Sequence, residues 1–504
     1  MEDTLHIHRF SARHRVQDAN SQRRALAAQQ ALLDGELEAA LARLRSGDEI
    51  VLIQRLQARV RLSAQHADAD NARRWSDALA ASLAHALQHA GPADLQRFAG
   101  RPQALRAFVA DMLNGHTTRD WAWQRLALLP ATFSGSSTPA QRQAALLRLL
   151  ADAPEEGVPL LRGLLHSALW PRLIGALEDG DLRGLTQSVL ARLAGIGAAG
   201  FALDVDVASD SFGSFGSFGS FGSAEILAHD AATAPDVPDW FITTSRAAGA
   251  PPRAVWALRL ACMLATPQQA TRGAAAVDAQ LRVLTAAAST HLATDPERGL
   301  RTASPSPAIA PAVALAAGGP TPVGPPTKPS SSVADDAVAN DAAGRTEHGG
   351  LLLLTPLLPA SGALALLQDT ALWPADAGPQ ALHALALRLW PLAAGDAAAL
   401  AFCGLPPGAA PPPRLALTTE QDSALVEARH RVVQHLAERL PEGRSEGRAL
   451  RFVVARRARI TADPGWIDVH FSLRDVSTEL RRAALDLDPG FLPWLGVVLR
   501  YRYE

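Results

Sequence analysis

Two stretches of low complexity cut this 504-residue chain, and no packed core can run through either. Residues 211–223 repeat Phe-Gly-Ser four times, and residues 301–345 are a run of Pro, Ala, Ser and Gly. Neither carries a helical or strand period long enough to bury the apolar surface that would offset the entropy of ordering it. Both read as disordered linkers, so ordered modules must lie before, between and after them.

The periodicities elsewhere assign those modules. Residues 1–90 read as an α+β module, 91–202 as an array of short helices, 203–237 as the Phe-Gly-Ser linker and 238–295 as a short helical segment. Residues 296–348 form the Pro/Ala-rich linker, 349–440 a helical module, and 441–504 a module of hairpin, helix and strand. The fold class expected is mainly α with small α+β modules at both termini, in a multi-module chain.

In the first module, residues 5–10 alternate polar and apolar side chains, a short strand signal. From Asp18 the period becomes helical, through Leu26, Leu33, Leu37 and Leu44 to a stop at Ser46-Gly47-Asp48. Residues 50–62 place Ile50, Leu52, Leu56, Ala58, Val60 and Leu62 at alternate positions and predict a long strand. Trp75, Leu79, Leu83 and Leu87 predict a helix over 69–89. Beyond Gly91-Pro92 the pattern reads as helical, Leu95 and Phe98 included, with prolines 130, 139, 154, 159 and 171 keeping the helices short.

After the second linker, residues 351–359 are apolar and cut by Pro356 and Pro359, a segment suited to a core or an interface. Helices are expected over 380–392 and 420–440. Residues 450–460 read as an arginine-rich strand, and Asp463-Pro464-Gly465 as a turn leading into a second strand over 467–473. Asp475 is expected to cap a helix running to Leu485, Asp488-Pro489-Gly490 to turn the chain, and residues 497–503 to form a last strand.

Chemistry is sparse. Hydrophobic residues make up 48% of the chain and the formal charge is −2, so no global field draws nucleic acid or an anionic membrane. Positive charge is almost all arginine, Lys328 being the single lysine. Cys262 and Cys403 are too few for a disulfide framework and read as reduced and buried. The acidic start Met1-Glu2-Asp3 carries no secretion signal, and the most apolar stretches are too short or too interrupted to span a membrane.

His6 and His8 share one face of the expected first strand but lack further ligands nearby, so they read as surface histidines. Asp463, Asp468, Asp475, Glu479, Asp486 and Asp488 are dense, yet several occupy turn and cap positions. Arg444, Arg448, Arg451, Arg456, Arg457 and Arg459, interleaved with Glu446, read as a solvated face or a protein contact. No phosphate loop or nucleophile elbow occurs. Residues alone therefore predict a multi-module interaction protein with no catalytic, cofactor-binding or metal site.

A resemblance goes further. The opening strand, the long helix and the strand beginning at Ile50 resemble the start of contractile injection system tape measure proteins, components of phage-tail-like particles. Gly349-Gly350-Leu351-Leu352-Leu353-Leu354-Thr355-Pro356-Leu357-Leu358-Pro359 is similar to that family's segment of glycine, leucines and prolines. Phe402-Cys403-Gly404-Leu405-Pro406 resembles its Cys-Gly-Leu-Pro turn, Leu417-Thr418-Thr419-Glu420 its next helix start, and Leu492-Pro493-Trp494 its terminal motif.

The resemblance implies a non-enzymatic structural role in setting inner tube length during assembly. It implies inner tube, baseplate and tube-terminating proteins as partners. The chain would be cytoplasmic during assembly and then lie within the lumen of the particle. The proline-rich middle departs from a continuous helical rod. An assembly scaffold or chaperone that binds tube or baseplate subunits and is missing from finished particles is the alternative.

Overall fold

The computed structural model describes residues 10–16, 18–37, 49–62, 66–91, 93–130, 138–152, 154–194, 237–249, 253–294, 342–374, 377–440 and 445–504. His6, His8, Arg444, the Phe-Gly-Ser repeats and residues 295–341 lie outside them. The fold is mainly α with small sheets, and the chain divides into two compact units, Met1–Leu146 and Leu147–Glu504.

In the first unit, α1 (Ala19–Ala31) starts where the Asp18 carboxylate accepts from the Ser21 amide, and one π turn, Leu32–Glu36, extends it. The helix α2 (Asp68–His89) packs on it. Leu32, Leu37, Ala72 and Trp75 form their shared core, with Phe10, Val60 and Leu62 against it. The strand expected over 50–62 is shorter. Only β1 (Ile50–Ile53) is paired, antiparallel to β2 (Leu95–Phe98), and Val60 and Leu62 reach the core from irregular backbone. Leu95 and Phe98, expected on a helix, are thus strand residues. The ladder ends because the partner is four residues long, and alternation alone cannot supply the missing hydrogen bonds.

Beyond β2, α3 (Arg101–Asn114) and α4 (Asp120–Arg125) enclose an aromatic cluster. Phe98 and Phe108 each place their ring centroids 5.6 Å from that of Trp123. The carboxylate of Asp111, 1% exposed, accepts from Arg119 Nε at 2.8 Å and from Trp123 Nε1 at 3.0 Å. A buried charge requires such partners.

The helix α5 (Pro139–Asp152) contains the division between the units. The second unit continues with α6 (Pro154–Leu165), α7 (Leu169–Ala176), α8 (Asp179–Leu193), α9 (Asp239–Ala248), α10 (Arg253–Ala265), α11 (Pro267–Thr271) and α12 (Ala274–Thr294). The helix α10 is apolar on nearly all sides and is the centre of this array.

Residues 342–504 build an α+β body in the same unit. It holds β3 (Ala342–Thr346), a 3-10 helix Gly349–Leu354, α13 (Leu357–Ala360), α14 (Ala363–Leu367), α15 (Gly378–Leu389), α16 (Ala397–Phe402), α17 (Thr419–Arg439) and α18 (Glu446–Val454). It closes with β4 (Ala458–Asp463), β5 (Trp466–Phe471), α19 (Thr478–Arg482), β6 (Gly490–Leu492) and β7 (Val497–Tyr503). The sheet order is β3-β4-β5-β7-β6, with β5 and β7 parallel and the other neighbours antiparallel.

Several expectations change here. Residues 446–454 are helical, because Ala449, Leu450, Val453 and Val454 fall on one face of α18, and the strand begins only at Ala458. Ser477 caps α19 in place of Asp475, and that helix ends at Arg482. β3 falls in the stretch that composition assigns to a linker. Its small side chains leave no alternation to read, and pairing with β4 defines it. The Pro464-Gly465 hairpin turn and the last strand stand where the sequence puts them.

Candidate functional site

The blocks carrying the family resemblance meet in the second unit. Gly349 and Gly350 open the 3-10 helix where it lies directly on the backbone of α18. A Cβ on Gly350 would overlap the Val453 carbonyl, and one on Gly349 would overlap Ala458. The Gly349 amide donates to the Arg456 carbonyl at 2.7 Å. That approach buries Leu351, Leu352, Leu353, Leu354, Leu357 and Leu358 completely, so the apolar segment belongs to a core.

From the far side, the Tyr501 hydroxyl donates to the Leu352 carbonyl at 2.9 Å. Burial pushes that phenol far above its ordinary value and keeps it a neutral donor. Gly404 of the Cys-Gly-Leu-Pro turn has φ +80°, a left-handed conformation that favours glycine, and lies against Leu495, next to the Leu-Pro-Trp block. Three blocks separated by up to 145 positions in sequence (Gly349 to Trp494, 494 − 349) therefore pack in one core with the closing strand, β7.

The helical array joins this body through backbone contacts that exclude side chains. Gly163 on α6 faces the Pro464 carbonyl, which would lie 2.8 Å from an added Cβ. Gly465, at φ +88°, faces the Pro159 carbonyl so closely that any side chain would overlap it. Gly496, at φ +64°, would set a Cβ 2.8 Å from Pro267. Arg162 donates to the Leu495 carbonyl, and desolvation lowers its pKa to about 10, leaving it charged at neutral pH. Gln368 Nε2 donates to Thr271 Oγ1 at 2.8 Å across the same joint. Composition and period give no sign of Arg162.

The acidic residues that sequence singled out are spread over strand, turn and helix positions and do not form one cluster. Asp468 accepts two bonds from Arg500, at 2.5 and 2.6 Å, and Asp488 takes the Tyr501 amide. Asp486 pairs with Arg481 at 3.2 Å. The arginine run is dispersed: Arg456 donates to the Asp475 carbonyl, Arg457 reaches Glu347 at 2.7 Å, and Arg459 reaches Glu504 at 3.5 Å. His470 bridges Glu504 Oε1 at 2.6 Å and Thr461 Oγ1 at 3.1 Å. This chain of hydroxyl, imidazole and carboxylate ties β4 and β5 to the end of β7.

Cys262 and Cys403 are both buried free thiols whose pKa values burial pushes up to about 12. Among the described residues, no group of three or more His, Cys, Asp or Glu side chains gathers to hold a metal ion. No described helix is long and apolar enough to cross a membrane. What the site can do is join: it locks a closing strand, a leucine-rich turn and a helical array with glycines at the contacts. A family model described as contractile injection system tape measure protein matches residues 4–435. Neither a curated protein nor a solved structure matches the chain.

Proposed function

The chain belongs to the contractile injection system tape measure protein family, and from that premise we propose that it sets the length of an inner tube during assembly. The carrying observation is the extent of the match, which takes in the first unit, both low-complexity stretches and most of the second unit. A role that spans a distance needs folded bodies to hold partners and spacer between them; both low-complexity stretches begin and end within the second unit, so on this reading they act as spacer once the segments packed across them part on assembly.

A helix advances about 1.5 Å per residue and an extended linker about 3.3 Å, so 504 residues can cover several hundred ångströms even with part of the chain compact. The folded bodies would contact the baseplate at one end and a tube-terminating protein at the other, with the chain inside the tube lumen. Work of this kind is done by contact and distance and requires no reaction at any side chain.

Deleting residues 211–223 and 304–341 together, followed by imaging of assembled particles, tests the reading. Shorter tubes of uniform length are expected. Tubes of unchanged length would refute it, and proteomics that finds the chain missing from purified particles would point to an assembly chaperone instead.

A further inference from the structure

We propose that His85 and His89, on the last turns of α2, form a two-histidine site for a divalent transition-metal ion of the copper and zinc class. A structural zinc site takes four ligands, whereas this is a pair four residues apart. On a helix that spacing puts both side chains on one face, one turn apart. Both are exposed, and their rings stack with centroids 4.4 Å apart and planes 20° apart. Two imidazole nitrogens sharing one ion at metal–nitrogen distances of about 2.0–2.1 Å stand roughly 3 Å from each other. The near-parallel stack opens by side-chain rotation so that the two in-plane lone pairs converge on one ion.

The protonation state favours binding. His89 Nδ1 lies 3.1 Å from the His85 carbonyl oxygen, which can only accept, so Nδ1 carries the proton. The lone pair of the neutral ring is then on Nε2. A metal-ligating histidine is commonly fixed in this way by a carbonyl on its other nitrogen. Position adds to this. α2 ends at His89, so the ion would sit at the helix C-terminus, the negative end of the helix dipole. Arg97 engages the Leu87 carbonyl, and Leu87 is about half a turn around the helix from both histidines.

Imidazole donors suit copper, zinc and nickel and not magnesium or calcium, and copper heads the affinity order. Two protein ligands leave positions for water, so the ion is exchangeable. Since it binds the folded helix across one turn, it stabilises the first unit by mass action.

Isothermal titration of the full chain with CuCl2, ZnCl2 and MgCl2 near neutral pH tests the site, alongside H85A, H89A and, as a control, H66A. The expected result is a single saturable copper site, weaker zinc binding and no magnesium binding, with H85A and H89A each weakening copper at least about tenfold and H66A leaving it unchanged. Far-UV circular dichroism checks that the helix persists, and H85Q and H89Q replace any alanine variant that loses it. Copper affinity retained in both single variants, or no copper binding by the natural chain, would overturn the proposal.

Discussion

Single residues hold the two bodies of the second unit together, and glycine is the clearest case. Gly465 combines a positive φ with a carbonyl at the place where a Cβ would stand. Gly465→Ala is therefore expected to cost at least about 2 kcal/mol in urea unfolding, from strain and overlap together. In the first unit, Asp111→Ala leaves Arg119 and Trp123 without their shared acceptor and should cost about 3 kcal/mol or more. The thiols give a simpler readout. With pKa values near 12 and full burial, Cys262 and Cys403 should resist alkylation in the native protein and react once denaturant exposes them.

Glu504 supplies a pH dependence. Its hydrogen bond to His470 holds the carboxyl below its ordinary value of 4.5. A depressed folded pKa contributes stability above the unfolded value and loses it as pH falls through the folded one. Thermal unfolding of Glu504→Gln should therefore match the natural chain at acid pH and fall below it near neutrality. Equal transitions at every pH would show that the tie contributes nothing.

Elements were legible where local chemistry and packing agree. The helix α17 is announced by Thr418 and Gln421, which form a reciprocal capping box, and its core face of Leu425, Ala428, Val432 and Leu436 keeps the helical period. Thr418→Ala should cost about 1 kcal/mol, read as a shift in the denaturation midpoint of the second unit. The β4–β5 hairpin was legible for the same reason, a Pro-Gly turn between alternating strands. Elements defined by distant partners were not. β1 stops where β2 stops, β3 exists because β4 lies beside it, and α18 shares a stretch rich in β-formers with β4. The candidate joint stayed hidden likewise, since Arg162 and Leu495 meet across hundreds of intervening positions. No spacing rule connects them.

At the scale of the whole molecule, the family match ends at residue 435 while the core of the second unit continues to Tyr501. Ile460, Val469, Phe471, Leu492 and Leu499 pack in one cluster with Leu351–Leu358 residues matched by the family, so the last module completes that core. A chain cut after Leu440 is expected to lose cooperative unfolding of the second unit and its near-ultraviolet dichroism. The low-complexity stretches, by contrast, should tolerate changes in length, because loop entropy grows only slowly with length.

The most direct test is a graded series in which residues are removed from or duplicated within 304–341 and tube lengths are measured by electron microscopy. The account predicts length proportional to the residues changed, with a slope between about 1.5 Å per residue for helix and 3.3 Å for extended chain. A slope of zero, with particles still assembled, would contradict it.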